Sequence, residues 1–314
     1  MYYSSWVTDY EIWEHLMTIE AKIICDSLGP NGVRLTTYVL RYPRFIHSEF
    51  LTHRVFSRNA SSSRAIPFEK QVDMILADPA MPLEFRENKK GMQAGEAVQD
   101  QDKCKKIWLE AMQRAVEQAY ALADKGVHKQ YVNRILEPYA HISVVLTATE
   151  YSNFFALRHH SMAQPEIAEL AQKMYLEYTH GSPQQLPAGY WHLPFVSNEE
   201  IQDHHEECAL VEERSFEAVW LPLIKKSVAR CARVSYNNHD CTKSSYEQDC
   251  ILYDRLLGAQ PIHASPSEHQ AQALPNIPVN RDEAYDWSGN FFAWIQYRKT
   301  LQGENITAFE GPLG

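Results

Sequence analysis

"GVHKQYVNRILEPYAHISVVLTATEYSNFFALRHHSMAQPEIAELA", residues 126–171, changes its periodicity several times, and those changes decide the fold class. Helical spacing over 127–136 stops at Pro138, because proline breaks a helix interior. "AHISVVLTATE" (140–150) then runs as a β-branched apolar stretch, either a buried strand or an apolar helix start. "YSNFFALRHH" and "PEIAELAQKMYLEYTH" return to helical spacing, the second with Pro165 at its first position. The mixture predicts an α/β or α+β class. Upstream, "CKKIWLEAMQRAVEQAYALADKG" (104–126) is an amphipathic helix with Gly126 as its stop. "VRLTTYVLRYPRFI" has strand composition, and "YEIWEHLMTIEAKIICDSLGP" before it predicts a helix closed by Gly29-Pro30. Residues 67–103, rich in Pro, Gly, Asn and charge, predict a long loop. Downstream, the turn-rich "GSPQQLPAGYWHLP" precedes a mostly helical 198–226, a helix in "SYEQDCILYDRLLG" and a loop in "AQPIHASPSEH".

With 314 residues, 45% hydrophobic and 22% charged, the chain has the composition of a globular protein able to bury a large core. Its longest apolar runs fall far short of the ~20 residues that span a bilayer. The opening "MYYSSWVTDYEIWEH" is aromatic and acidic where a secretory leader is basic and then apolar, so a cytoplasmic location is expected. Six cysteines without a CxxC pair read as reduced thiols. A formal net charge of −10 argues against broad nucleic-acid binding, which needs a basic surface. It leaves room for a small anion held by a local cluster.

The best such cluster is "THRVFSRNASSSRA" (52–65). No acidic residue stands between Glu49 and Glu69, while Arg54, Arg58 and Arg64 supply forked donors and Ser57, Ser61, Ser62 and Ser63 supply hydroxyls. The alternative is an exposed loop whose arginines pair with distant carboxylates. Asn153 and Arg158 share an apolar segment, and an arginine there needs a carboxylate partner or an anionic ligand. "HHEEC" (204–208) and "HDC" (239–241) hold metal-ligand types, but neither is a complete zinc motif. In "HASPSEH" (263–269), Ser265, Pro266 and Glu268 have the spacing of a capping box, and such a helix start also offers N–H groups to an anion. Neither GxGxxG nor GxxxxGK[ST] occurs.

Together these segments resemble the flavin-dependent thymidylate synthase (ThyX) family. "THRVFSRNASSSRA" keeps His53, Arg54, Ser57, Asn59, Ser62 and Arg64 of the family signature and departs from it at Thr52, Ala60 and Ala65. Residues 126–171 follow the family's Arg-x-x-Leu-Pro, Asn, Leu-Arg and Ala-Gln-x-Glu-Ile run, with Thr147 and Thr149 where flavin-contacting Asn and Arg usually stand. "CARVSYNNHD" and "SYEQDCILYDRLLGAQPIHASPSEH" (231–269) are similar to the start of a family chain, yet here follow the signature. "NFFAWIQYRK" (290–299) faintly echoes the segment leading into it. The resemblance therefore implies a circularly permuted or divergent, phage-type member: one catalytic domain with a central, mostly antiparallel sheet. Its signature and nucleotide portion would span 1–180, a helical connector 181–226, and a flavin-binding portion 227–314.

The resemblance also implies chemistry. Reduced FAD would transfer a one-carbon unit from methylene-tetrahydrofolate to C5 of dUMP, with NADPH as reductant, in a homo-oligomer. It implies His53 and Arg54 near the flavin ring, with Asn59, Asn153, Ser235, His263, Ser265 and Glu268 as further cofactor contacts. Ser62, Arg64 and Arg134 would hold the nucleotide phosphate, and Arg158 the uracil edge. Two alternatives follow: another C5-modifying enzyme such as a dUMP or dCMP hydroxymethylase, and a non-catalytic nucleotide-binding homologue. No metal is implied.

Overall fold

The computed structural model describes residues 19–91, 93–235, 244–259, 262–278 and 287–304. In chain order the elements are β1 (Glu20–Leu28), β2 (Arg34–Pro43), α1 (His47–Phe50), β3 (Ser57–Ala60), α2 (Phe68–Ala77), α3 (Gln101–Ala123), α4 (Lys129–Leu136), β4 (His141–Ala148), α5 (Ser152–Arg158), α6 (Pro165–His180) and β5 (Gln184–Gln185). They continue with β6 (Trp191–His192), α7 (Asn198–Leu210), α8 (Phe216–Val219), α9 (Leu221–Ala232), α10 (Tyr246–Leu257), β7 (Ala271–Ala273) and β8 (Trp294–Gln296).

A five-stranded sheet, ordered β3-β4-β2-β1-β5, forms the centre. Every pairing is antiparallel except β1 with β5. The expected mixed class with a mostly antiparallel sheet is therefore what the chain adopts. β2 and β4 are largely buried on both faces, which is why β4 reads as a nearly unbroken apolar run. One face carries Tyr38, Leu40, Tyr42, Val144 and Leu146 against α1, α5 and α6, through Phe50, Phe56, Phe154, Ile167, Leu170 and Met174. The other face carries Val39 and Val145 against Cys231 and Val234 at the end of α9. A second sheet, β6-β7-β8, continues that outer layer. At one end α2, α3 and α4 close a separate apolar cluster around Val72, Ile75, Met112 and Leu136. No helix among the described residues is long and apolar enough to cross a membrane.

Two expectations fail. The helix expected to run up to Gly29-Pro30 is, over Glu20–Leu28, the strand β1, because those residues pair along β2 as a hairpin; residues 1–18 lie outside the described part. Gly32, at a φ of +78°, supplies the left-handed position this turn needs. Asn31 fastens the turn to the second sheet, donating to the carbonyls of Leu274 and Ala293. Within the supposed loop 67–103, "FEKQVDMILA" forms the ten-residue α2, whose Phe68, Val72 and Ile75 are buried.

A polar seam lies between the sheet and the outer layer. Ser27 Oγ and Thr37 Oγ1 flank the two ring nitrogens of His192 at 2.8 and 2.7 Å; Thr37 Oγ1 then meets Thr147 Oγ1 at 2.7 Å, and Thr147 meets His269 Nδ1 at 2.8 Å. All are buried. Burial pushes both imidazoles down to about 3, so both are neutral.

Candidate functional site

The signature segment forms β3 and the loop after it, and the strand's alternation sends its residues to opposite sides of the sheet. Ser57 and Asn59 point to the outer layer: Asn59 donates to the Cys231 carbonyl at 2.8 Å, and Gln296 donates to Ser57 Oγ at 3.1 Å. Arg58 points the other way and donates to the carbonyls of Leu51 and His53.

On the outer side Asn59, Ser62, Arg64 and Ala65 meet His263, Ser265 and Pro266 across a cleft of about 360 Å³, with His128 and Gln130 at the start of α4. Ser265 Oγ donates to Asn59 Oδ1 at 3.4 Å. Among the described residues, no acidic side chain lines this cleft. Residues separated by about two hundred positions thus converge on one concave, donor-rich surface.

The loop under the cleft is held from below. Asn133, fully buried, donates to the carbonyls of Ser63 and Ile66. Glu137 accepts from Ser63 Oγ at 2.6 Å and from Arg134 at 2.9 Å, and pairs with Arg44 at 3.1 Å. Arg44 in turn donates to the Ser61 carbonyl. Arg134 therefore stands one carboxylate away from the loop and does not line the cleft. Ser61 Oγ accepts from Ser143 N–H, which leaves Ser62 as the signature loop's hydroxyl on the cleft wall.

On the inner side Arg158, at the end of α5, donates through Nε to His53 Nε2 at 3.0 Å and through a terminal nitrogen to Thr52 Oγ1 at 3.2 Å. An arginine can only donate, so His53 Nε2 is an acceptor and the imidazole neutral. Burial and then the guanidinium groups of Arg158 and Arg58 hold it below its usual range. Phe56 and Phe154 pack on its ring. Of the two partners expected for this arginine, a carboxylate or an anionic ligand, the chain supplies no carboxylate among the described residues: its contacts are a neutral histidine and a hydroxyl.

The remaining expected residues are dispersed. Arg54 and Asn153 are exposed. Glu268 forms an ion pair with Arg298, and no side chain caps the short 3-10 turn Ser265–Glu268, so the anticipated capping box is absent: Arg298 outcompetes the backbone for that carboxylate. Ser235 ends a 3-10 turn after α9, but its side chain is outside the described part. Thr147 is sealed between Thr37 and His269, and Thr149 Oγ1 accepts from Phe292 N–H. The residues expected to hold FAD are thus split between two faces, and a carboxylate paired with Arg298 suits no phosphate. Within one chain this set does not fit a flavin.

His204 and Cys208 both approach the Ala218 carbonyl, and among the described residues no three metal-ligand side chains converge; residues 239–241 lie outside them. Sequence reasoning missed His128, Gln130, Asn133 and Glu137. His128 carried one signal: it stands at the start of the helical spacing, where its side chain caps α4.

The description "Thymidylate synthase complementing protein" (Thy1) belongs to the family model that matches residues 32–184. The match runs collinearly through the signature and the 126–171 block and stops before 231–269, so it shows no permutation. Among solved structures, the chain is similar to the UMP/dUMP methylase PolB from Streptomyces cacaoi. With 5-Br UMP bound, that structure gives 18% identity and a TM-score of 0.43, over 52% of this chain and 89% of the other. With 5-Br dUMP bound the values are 17% and 0.44, over 52% and 90%. No curated protein matches the chain. Residues 32–184, which carry the signature loop and α4 on one side of the cleft, thus match the model of the thymidylate synthase complementing protein family.

Proposed function

We propose that this protein is a pyrimidine-nucleotide C5-modifying enzyme that transfers a one-carbon unit to dUMP. The observation that carries this reading is the acid-free cleft where Asn59, Ser62 and Arg64 of the signature meet His263 and Ser265. Arg64 and the hydroxyls of Ser62 and Ser265 suit a phosphate, in a chain otherwise too acidic to attract one.

Arg158 is the group for the base. A guanidinium has five N–H donors, and here His53 and Thr52 fix its plane, so the remaining edge can polarise a uracil carbonyl as charge develops on the ring. His53 is a positioning residue: its neutral Nε2 aims the guanidinium without cancelling its charge. Because Arg158 and the cleft lie on opposite faces of β3, a complete site pairs the cleft of one copy with the Arg158 face of another, which supports a homo-oligomer.

FAD, with methylene-tetrahydrofolate and NADPH as co-substrates, belongs to this reading only as a group held between copies. One chain by itself does not assemble its contacts. A second reading, a nucleotide-binding homologue without flavin, is favoured by the sealing of Thr147. Altered chemistry at C5, such as hydroxymethylation of dUMP or dCMP, is favoured by Thr52, whose hydroxyl accepts from Arg158 where the family signature has an arginine.

Equilibrium dialysis with dUMP tests the binding step, comparing the native protein with Arg64→Ala. Loss of one charge-assisted contact is expected to weaken binding at least about tenfold; no binding to the native protein, or equal binding to the variant, overturns the proposal. Visible spectra with added FAD, before and after dUMP, separate the first two readings: a perturbed flavin spectrum supports the enzyme, and a colourless protein that binds dUMP supports the homologue. Mass spectrometry of products from dUMP and dCMP identifies the group transferred. Arg158→Ala is expected to abolish turnover while leaving the fold intact.

A further inference from the structure

Four residues that lie directly opposite one another on neighbouring strands make a polar row across the central sheet. β1 sets Cys25 against Thr37 of β2, Thr37 is opposite Thr147 of β4, and Thr147 is opposite Ser57 of β3. Directly opposed residues share a face of a sheet, and this row belongs to the face that the outer layer covers. Three polar side chains of that layer stand on it. His192 of β6 lies with Nδ1 3.4 Å from Cys25 Sγ and Nε2 2.7 Å from Thr37 Oγ1, His269 Nδ1 lies 2.8 Å from Thr147 Oγ1, and Gln296 of β8 donates to Ser57 Oγ at 3.1 Å. Thr37, Ser57, Thr147, His192 and His269 are fully buried.

The middle of the row is continuous. Thr37 Oγ1 and Thr147 Oγ1 are 2.7 Å apart, so each of these hydroxyls has two partners and one hydrogen. Each therefore donates once and accepts once, which gives the chain from His192 to His269 a single direction and sets both histidine tautomers together. Such a buried chain holds the layers it joins in one register, because a shift leaves its members unpaired. His269 is where that register meets the nucleotide cleft: it directly follows the 3-10 turn Ser265–Glu268, whose Ser265 and Pro266 stand across the cleft from Ser62 and Arg64. The turn's other ties are of a different kind. Arg298 and Gln296, which hold the Glu268 carboxylate and carbonyl, come from the outer layer, and the Ser265 bond to Asn59 is 3.4 Å long. Among the described residues His269 Nε2 has no partner, so the ring is held through Nδ1, on a strand inside the sheet.

We propose that Thr147 and His269 are positioning residues for the nucleotide cleft: their bond sets the place of the 263–266 wall, and so the distance across which His263 and Ser265 face Ser62 and Arg64. Neither residue lines the cleft, so their effect on a ligand passes through the wall. The effect on dUMP rests on the function proposed for the cleft; the effect on the turn does not.

Thr147→Val keeps the side chain's shape and removes its hydroxyl, His269→Leu removes the tie from the other side without stranding a buried imidazole, and Thr147→Ser keeps the hydroxyl. Hydrogen–deuterium exchange of peptides spanning 263–270 reads the turn, where His263 N–H donates to the Leu256 carbonyl and Ser267 N–H to that of Ala264. Exchange is expected to be about tenfold faster in Thr147→Val and His269→Leu, the upper worth of one neutral hydrogen bond, and native in Thr147→Ser. Thr37→Val removes the neighbouring hydroxyl but leaves Thr147 on His269, so exchange in 263–270 stays native although stability falls; a merely structural role predicts the same response from both valine variants. Equilibrium dialysis is expected to show dUMP bound severalfold more weakly by Thr147→Val and His269→Leu, and at native strength by Thr147→Ser. Circular dichroism verifies each fold. Native exchange in 263–270 for folded Thr147→Val and His269→Leu overturns the proposal, as does native dUMP affinity in variants whose turn has loosened, or a Thr147→Ser variant that behaves like Thr147→Val. A native protein that binds no dUMP overturns the function proposed for the cleft, and exchange then decides the positioning by itself.

Discussion

Glu137 is the most exacting test of how the nucleotide loop is held, because three separate groups depend on its carboxylate. Ser63 donates to it at 2.6 Å, and Arg134 and Arg44 reach it at 2.9 and 3.1 Å. Arg134 is 53% exposed, so its share is screened and worth at most about 0.5 kcal/mol. Arg44 is 18% exposed and the Ser63 bond is charge-assisted, and each contributes about 1–1.5 kcal/mol. Glu137→Ala is therefore expected to cost about 2–3.5 kcal/mol, by the sum of these contributions. Glu137→Gln keeps an acceptor for Ser63 and loses only the charge, so about half that loss is expected. Equilibrium urea denaturation measures both.

The two variants should then diverge in binding. Glu137→Gln leaves the loop anchored through Ser63, so dUMP affinity holds. Glu137→Ala releases Ser63 and Arg44, which fixes the Ser61 carbonyl, and affinity falls. Stability within about 0.5 kcal/mol of the native protein for both variants refutes the anchoring role, since that is the range of inert surface changes. Parallel loss of affinity in both refutes the idea that an acceptor for Ser63 is enough to hold the loop.

The remaining predictions concern the outer layer. Asp249 is fully buried and bound by Arg230, Arg233 and Ser244 Oγ; Asp249→Ala leaves Arg230 to Glu200 and deprives Arg233 of its carboxylate, and is expected to cost about 3 kcal/mol by urea denaturation. His192 and His269 bind protons in the unfolded chain near pH 6.5 but in the folded protein only near 3. Unfolding therefore takes up protons between those values. Their contribution is fully present above about pH 6.5 and is lost as pH falls, by about 1.4 kcal/mol per unit for each histidine. Denaturation at pH 7, 5.5 and 4.5 measures the slope, and His192→Gln should reduce it by one proton; a flat profile between pH 7 and 5 contradicts the buried neutral state.

Much of the fold was legible because its strongest elements are long and regular. The helix at 104–126 and the two helices after residue 150 appear within a few residues of where periodicity placed them, and the stretch after Pro138, open between strand and helix start, is the strand β4. "EAKIICDSL" misled because a short apolar stretch suits a strand or a helix equally, and pairing along β2 decided between them. α2 was hidden by its Pro- and Gly-rich surroundings, although Phe68, Val72 and Ile75 already had helical spacing.

By itself the sequence determined the chemistry available: an acid-free run of Arg, Ser and Asn at 52–65, a lone arginine at 158, and a His-Ser-Pro turn two hundred residues away. Which of these act together was decided only in three dimensions. Strand alternation at β3 sends Asn59 to one face and Arg58 to the other, and the packing of α9 and the 265–268 turn on the first face makes the cleft there. The same packing buries Thr147 and gives Glu268 to Arg298. A residue's type sets what it can bind; the face it occupies, and what the chain lays over that face, sets what it does bind.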